Sequence, residues 1–80
     1  MNRSQLVERA RAAGIREDTF SVGDLVPDEG YVLEVVDEGW VVDYSERGYR
    51  WRVAFFDTED EACSYLFLKL IEDPTTRRPK

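Results

Sequence analysis

Leu6, Val7, Ala10 and Ala13 recur at the three- and four-residue spacings that gather on one helical face, and Arg3, Arg9 and Arg11 occupy the exposed side. This pattern predicts a first helix over about residues 3–13. Gly14 stands where a left-handed residue stops a helix, and Ile15 beyond it is placed to fold back on Ala10 in a Schellman ending. Residues 15–30 scatter Ile15, Phe20, Val22, Leu25 and Val26 among Gly23, Pro27 and Gly30. That mixture predicts a loop crossing the core, with one short strand near 19–22.

Three strands follow. Tyr31 to Val36 and Trp40 to Tyr44 are β-branched and aromatic runs separated by Asp37-Glu38-Gly39, with Gly39 suited to the positive φ of a short hairpin. Ser45-Glu46-Arg47-Gly48 repeats the device. Tyr49, Trp51, Val53 and Phe55 then alternate with Arg50 and Arg52 over 49–56, which predicts one apolar face and one that is basic at its start. Thr58 and Glu61 have the spacing of a capping box, followed by a stripe of Cys63, Leu66, Phe67, Leu70 and Ile71. The last helix therefore spans about 59–72, ending because Pro74 disfavours helical geometry at Asp73. Residues 75–80 read as a polar tail. The expectation for 1–80 is one domain of the α+β class: a two-layer sandwich in which a three- or four-stranded antiparallel meander carries both terminal helices on one face.

Composition narrows the chemistry. With 80 residues the chain has one small core, and its hydrophobic fraction of 42 % is that of a folding sequence. There is no histidine, which removes the commonest acid–base catalyst and the commonest transition-metal ligand, so no catalytic residue, metal or cofactor is expected. One cysteine, Cys63, cannot close an internal disulfide and reads as a small core residue. The opening residues Met1 to Gln5 lack the apolar run of a signal peptide, and no segment is long and apolar enough for a bilayer, so a soluble cytoplasmic protein is expected. The net charge of −6 disfavours phosphate backbones and hence nucleic acid as a partner.

The acids are unevenly spread. From Glu17 through Glu46 there are ten (Glu17, Asp18, Asp24, Asp28, Glu29, Glu34, Asp37, Glu38, Asp43, Glu46) and no base. Such a run steers a cationic partner, or else simply solvates a surface. The second cluster of Asp57, Glu59, Asp60 and Glu61 has the oxygens a hard cation wants but not the spacing of a calcium loop, and helix capping accounts for it. Arg47, Arg50 and Arg52 beside aromatics look superficially like a nucleic-acid strip, yet pairing across the sheet with Glu34 or Asp43 suits them better. Tyr65 and Leu68 lie off the main stripe of the last helix and need a cover, either the first helix or a second protein. Trp40, Tyr44, Tyr49 and Trp51 have the chemistry of interface anchors and equally of sheet core.

Gly39-Trp40-Val41-Val42, Tyr44-Ser45-Glu46-Arg47-Gly48, and Phe56-Asp57-Thr58-Glu59-Asp60-Glu61-Ala62-Cys63 with Tyr65-Leu66 and Asp73-Pro74-Thr75-Thr76-Arg77 resemble small acidic actinobacterial immunity proteins of polymorphic toxin systems. The resemblance covers the second half of the chain. It implies a stoichiometric inhibitor that occludes the active site of a toxin, typically a nuclease or an NAD-consuming enzyme, and performs no chemistry itself. The leading expectation is thus a non-enzymatic toxin inhibitor that binds a cationic protein. Asp37, Glu38, Asp43 and Glu46 are its candidate charge donors, and Trp40, Tyr44 and Tyr49 its candidate anchors. The alternative is a homodimeric interaction or regulatory module built on the last helix.

Overall fold

The computed structural model describes residues 1–23 and 26–77. Leu25 as a loop anchor, Asp24 as a member of the acidic run, and the end of the expected tail from Arg78 to Lys80 lie outside the described residues.

Helix α1 spans Arg3–Ala12. Its start is a reciprocal capping box: the Asn2 side chain accepts from the Gln5 N–H at 2.9 Å, and the Gln5 side chain accepts from the Asn2 N–H at 2.8 Å. The box uses Asn and Gln where Ser or Thr followed by Glu is the usual sequence signature. At the other end Gly14 takes φ +80°, the Ile15 N–H reaches the Ala10 carbonyl at 2.9 Å, and the Gly14 N–H reaches the Arg11 carbonyl at 3.1 Å. Those two bonds are the expected Schellman pair.

Strand β1 (Phe20–Ser21) leads to β2 (Glu29–Val36), β3 (Gly39–Glu46) and β4 (Tyr49–Phe56), in sheet order β1-β2-β3-β4. The last three form the antiparallel meander that the pattern predicts. The expectation of a wholly antiparallel sheet fails at β1, which runs parallel to β2 with Phe20 opposite Tyr31 and Ser21 opposite Val32. A parallel connection ordinarily needs a long crossover. Here β1 is so short that the chain has only to return from the level of Val32 to Glu29, about 10 Å at roughly 3.3 Å per residue. The approach is tight: a Cβ on Gly30 would lie 2.1 Å from the Thr19 carbonyl oxygen.

A second departure lies in β4. Val42 pairs with Ala54 while Asp43 pairs with Arg52, so Val53 is an extra residue in a β-bulge. Simple alternation would put Tyr49, Trp51, Val53 and Phe55 on one face. The bulge resets the alternation, so that Ala54 and Phe56 join Trp51 and Tyr49 on the helix side and Phe55 turns to the other.

Helix α2 spans Glu59–Glu72 as the pattern predicts. Its expected capping box is only half made. Thr58 Oγ1 accepts from the Glu61 N–H at 3.2 Å, but the Glu61 carboxylate takes the Thr58 hydroxyl at 2.9 Å instead of a backbone N–H. Both helices lie on the sheet face of Leu33 and Val42. There Leu6, Ala10, Ile15, Leu33, Val42, Ala62, Cys63, Leu66 and Leu70 form one buried cluster. The beginning of the expected polar tail is also docked. Pro74–Thr76 is a 3-10 turn, and the buried Thr76 hydroxyl donates within reach of the Leu70 and Asp73 carbonyls (2.6 and 2.8 Å). The Thr76 carbonyl accepts from the Arg16 N–H at 2.7 Å, which ties this segment to the exit of α1.

The β3–β4 turn is Arg47-Gly48, with φ of +50° and +86°, the signs of a type I′ turn. Arg47 is the described non-glycine residue that bears the cost of a left-handed conformation, about 1–2 kcal/mol for an ordinary side chain. Replacing it with the residue this turn prefers, Arg47→Asn, should raise unfolding free energy by about 0.5–1 kcal/mol in urea titrations. A second expectation concerns alkali. Burial, with the Glu59 carboxylate second, pushes the Cys63 thiol from 9.0 up to about 11. Burial, aided by Asp73, raises Tyr31, and burial, aided by Glu46, raises Tyr44. The folded state holds these protons more tightly than the unfolded chain, so the Cys63 stabilisation is complete below about pH 9 and is lost as pH climbs toward about 11, and that of the two tyrosines is lost as pH rises above their ordinary 10.0. The urea midpoint should fall over that window, and the fall should be smaller in Cys63→Ala.

Candidate partner-binding surface

Asp43 faces away from the helices, on a sheet face that neither helix covers, yet is only 4 % exposed. Its carboxylate accepts from Arg50 Nε at 2.8 Å and from Arg52 Nε at 3.0 Å, and Arg50 also reaches Glu34. This is the cross-sheet pairing expected of these arginines, and it satisfies both carboxylate oxygens of Asp43 with charge-assisted bonds. Val32 and Val41, on the same face by register, are buried beside it and stand outside the main core cluster. Asp43 is therefore a structural anion. A partner does not reach it, which corrects its assignment as a charge donor.

The anchors divide likewise. Trp40 points to the helix side, half-buried, with the Arg3 guanidinium 5.1 Å from its ring centre. Tyr44 is wedged between Tyr31 and Trp51, with ring centres at 5.1 and 5.3 Å. Trp40 packs against the core, and Tyr44 is partly buried in this aromatic row. Tyr49 does the opposite, at 75 % exposure. Asp37 and Glu38 form the exposed β2–β3 turn, whereas Glu46 and Tyr49 lie beside the β3–β4 turn at the other end of the sheet. The separation along β3 is about 23 Å, seven steps of roughly 3.3 Å. The seven predicted residues thus occupy two ends and the interior of the sheet and do not share one face.

Arginines from just outside the ten-acid run answer much of its charge. Arg11 meets Glu17 at 3.6 Å, Arg16 meets Asp18 at 3.5 Å, Arg47 meets Glu29 at 3.9 Å, and Arg50 with Arg52 takes Glu34 and Asp43. The surface pairs contribute little stability, but they cancel field. Among the described residues Asp28, Asp37, Glu38 and Glu46 of the run have no cation within ion-pairing distance, nor has Asp57. Asp57 belongs with Asp37 and Glu38, because the Phe56 carbonyl oxygen lies 2.5 Å from where a Gly39 Cβ would stand. In the second acidic cluster, Glu59 binds Arg3 and Asp60 binds the Met1 amino group.

The surface that sequence patterning does not reveal is β4 itself. It is the long outer strand of the sheet, and Tyr49 (75 %), Trp51 (49 %), Val53 and Phe55 (48 %) are all exposed along it. Alternation marks these side chains as one strand's apolar face, whereas their exposure follows from strand order, which no local pattern encodes. On α2, Tyr65 packs against Phe56 with ring centres 5.1 Å apart, leaving Leu68 as the exposed large hydrophobic there. A shallow cleft of about 790 Å³ lies between the loop after β1 and the β3–β4 turn, and two of the ion pairs above, Arg16–Asp18 and Arg47–Glu29, line it.

Searches of protein-family models, of curated proteins and of solved structures return no match to this chain. No helix among the described residues is long and apolar enough to cross a membrane.

Removing the Asp43 carboxylate strands two guanidinium groups against an otherwise satisfied sheet face. Asp43→Ala should cost about 2–3 kcal/mol, less than the ~3–5 of a fully buried pair because Arg52 is more than half exposed. A double-mutant cycle with Arg50→Met, read by urea unfolding, should show positive coupling of about 1 kcal/mol or more.

Proposed function

We propose that this protein is a non-enzymatic inhibitor that binds a cationic protein, in the manner of the immunity proteins it resembles, and that it does so in the cytoplasm. One observation carries the reading: among the described residues, carboxylates without a cation partner stand at both ends of an exposed apolar strand. Asp37, Glu38 and Asp57 cluster at one end of β4, Glu46 stands at the other, and Tyr49, Trp51, Val53 and Phe55 lie between. Aromatic anchors supply affinity at interfaces, and flanking charges set encounter rate and partner choice. A toxin domain with a basic substrate-binding cleft, a nuclease or an NAD-consuming enzyme, is the partner class that fits. The alternative, a dimer through α2, has Leu68 to build on, and singly exposed leucines are ordinary surface.

The test starts from the adjoining gene, which this reading expects to encode a toxin domain. Co-expression should restore growth to a host that the toxin kills. In binding kinetics the Asp37→Lys/Glu38→Lys variant should associate about tenfold more slowly at low salt, and its rate should respond less to ionic strength than the wild type's. An unchanged association rate would sink the acidic docking model.

A further inference from the structure

Among the described residues β4 has a neighbouring strand on one side only, so half of its backbone groups have no ladder partner there. The turns identify which. Glu46 and Tyr49 flank a two-residue turn and form a hydrogen-bonded pair, so by alternation Trp51 also faces β3, while Arg50 and Arg52 turn their N–H and C=O outward. From the other end, Val36 and Gly39 flank the β2–β3 turn. Trp40 and Val42 therefore bond to Phe56 and Ala54, and Phe55 is left facing outward.

We infer that the partner docks by adding a β-strand to this edge, and that the added strand is apolar in its middle and basic at both ends. The inference rests on the binding role proposed above and names its mode. Main-chain bonds to Arg50, Arg52 and Phe55 give such a strand its register, and Tyr49, Trp51, Val53 and Phe55 meet its side chains. The charge arrangement selects the occupant. The edge is about 23 Å long at roughly 3.3 Å per residue. It ends at Glu46 on one side and at Asp37, Glu38 and Asp57 on the other, none of them paired with a cation among the described residues. A second copy is disfavoured in either direction. Arg47, in the turn beside Glu46, is engaged by Glu29, so antiparallel pairing sets the unpaired Glu46 of one copy against Asp37, Glu38 and Asp57 of the other, and parallel pairing matches each acid with itself. A strand bearing Lys or Arg at its two ends meets an opposite charge at both.

The experiment is amide hydrogen exchange on the full chain, with a peptide of alternating valine and threonine as long as β4 and with a lysine at each end as the probe. At about ten times the peptide's Kd, exchange at the Arg50, Arg52 and Phe55 amides should slow roughly tenfold, whereas inward amides such as Trp51 and Ala54 change little. A glutamate-ended peptide of the same core should give no protection at that concentration. Equal protection by both peptides, or none by either, overturns the inference. So does protection that grows with protein concentration alone, which identifies a second copy as the occupant. A toxin complex that forms with its salt dependence intact but leaves those three amides fast also overturns strand addition, while the cationic-partner reading stands.

Discussion

A carboxylate on an uncovered sheet face sets much of this architecture. Asp43 sits at 4 % exposure with no helix above it, and an isolated buried anion is too costly to keep. Two arginines must reach it from the neighbouring strand, and they must share its face. Arg50 and Arg52 do, because they lie opposite Ser45 and Asp43. Beyond them the face requirement reverses: α2 needs Phe56 and Ala54 beneath it, and these are an even number of residues from the arginines. Regular alternation cannot satisfy both demands. The extra residue at Val53 reconciles them, serving the ion cluster on one side of the bulge and the hydrophobic core on the other.

The consequences run outward from that bulge. Phe55 is turned to the uncovered face, where its ring lies beside Gly39, while Trp51 and Tyr49 stay on the helix side but beyond the reach of α2. Two helices of ten and fourteen residues cannot roof four strands to the outer edge, and α1 is spent packing against α2 and receiving the chain's C-terminal segment through Arg16 and Thr76. The aromatic content that the composition suggests for a core is therefore divided. Tyr31, Trp40, Phe56 and Tyr65 pack against the core, and Tyr49, Trp51 and Phe55 of β4 face solvent.

Local chemistry was readable from the chain and long-range chemistry was not. The Schellman ending at Gly14 and Ile15, the span of α2, the two hairpins and the pairing of Arg50 with Asp43 each follow from residues adjacent in sequence or on neighbouring strands of a meander, and its pairing with Glu34 reaches one strand further. The parallel direction of β1, the docking of Thr76 under Arg16 and the bulge at Val53 depend on contacts between distant segments, or on a conflict between two faces of one strand. The candidate site divides the same way. Charge counting finds the acids, and Asp37, Glu38 and Glu46 have no cation partner among the described residues, but only the folded arrangement separates them from Asp43. The aromatic row of β4 is visible in the sequence as a strand, while its position at the edge is a property of sheet order.

An exposed strand of eight residues rich in aromatics is ordinarily an aggregation hazard. This one is restrained by the bulge, which twists the edge, and by where the remaining charge has been left. A strand added beside β4 lies two strand spacings, roughly 10 Å, from Glu46 and from the β2–β3 turn, where each charge contributes only ~0.4 kcal/mol in water and somewhat more near a protein surface. With Arg47 engaged by Glu29, the unpaired acids at the two ends oppose self-pairing and favour a strand with basic ends. Among the described residues of the run, Glu17, Asp18, Glu29, Glu34 and Asp43 are paired, Asp28 before β2 is not, and the hairpin ends that frame β4 keep Asp37, Glu38 and Glu46 unpaired. In the proposed docking, the same carboxylates that would repel a second copy would receive a strand with basic ends.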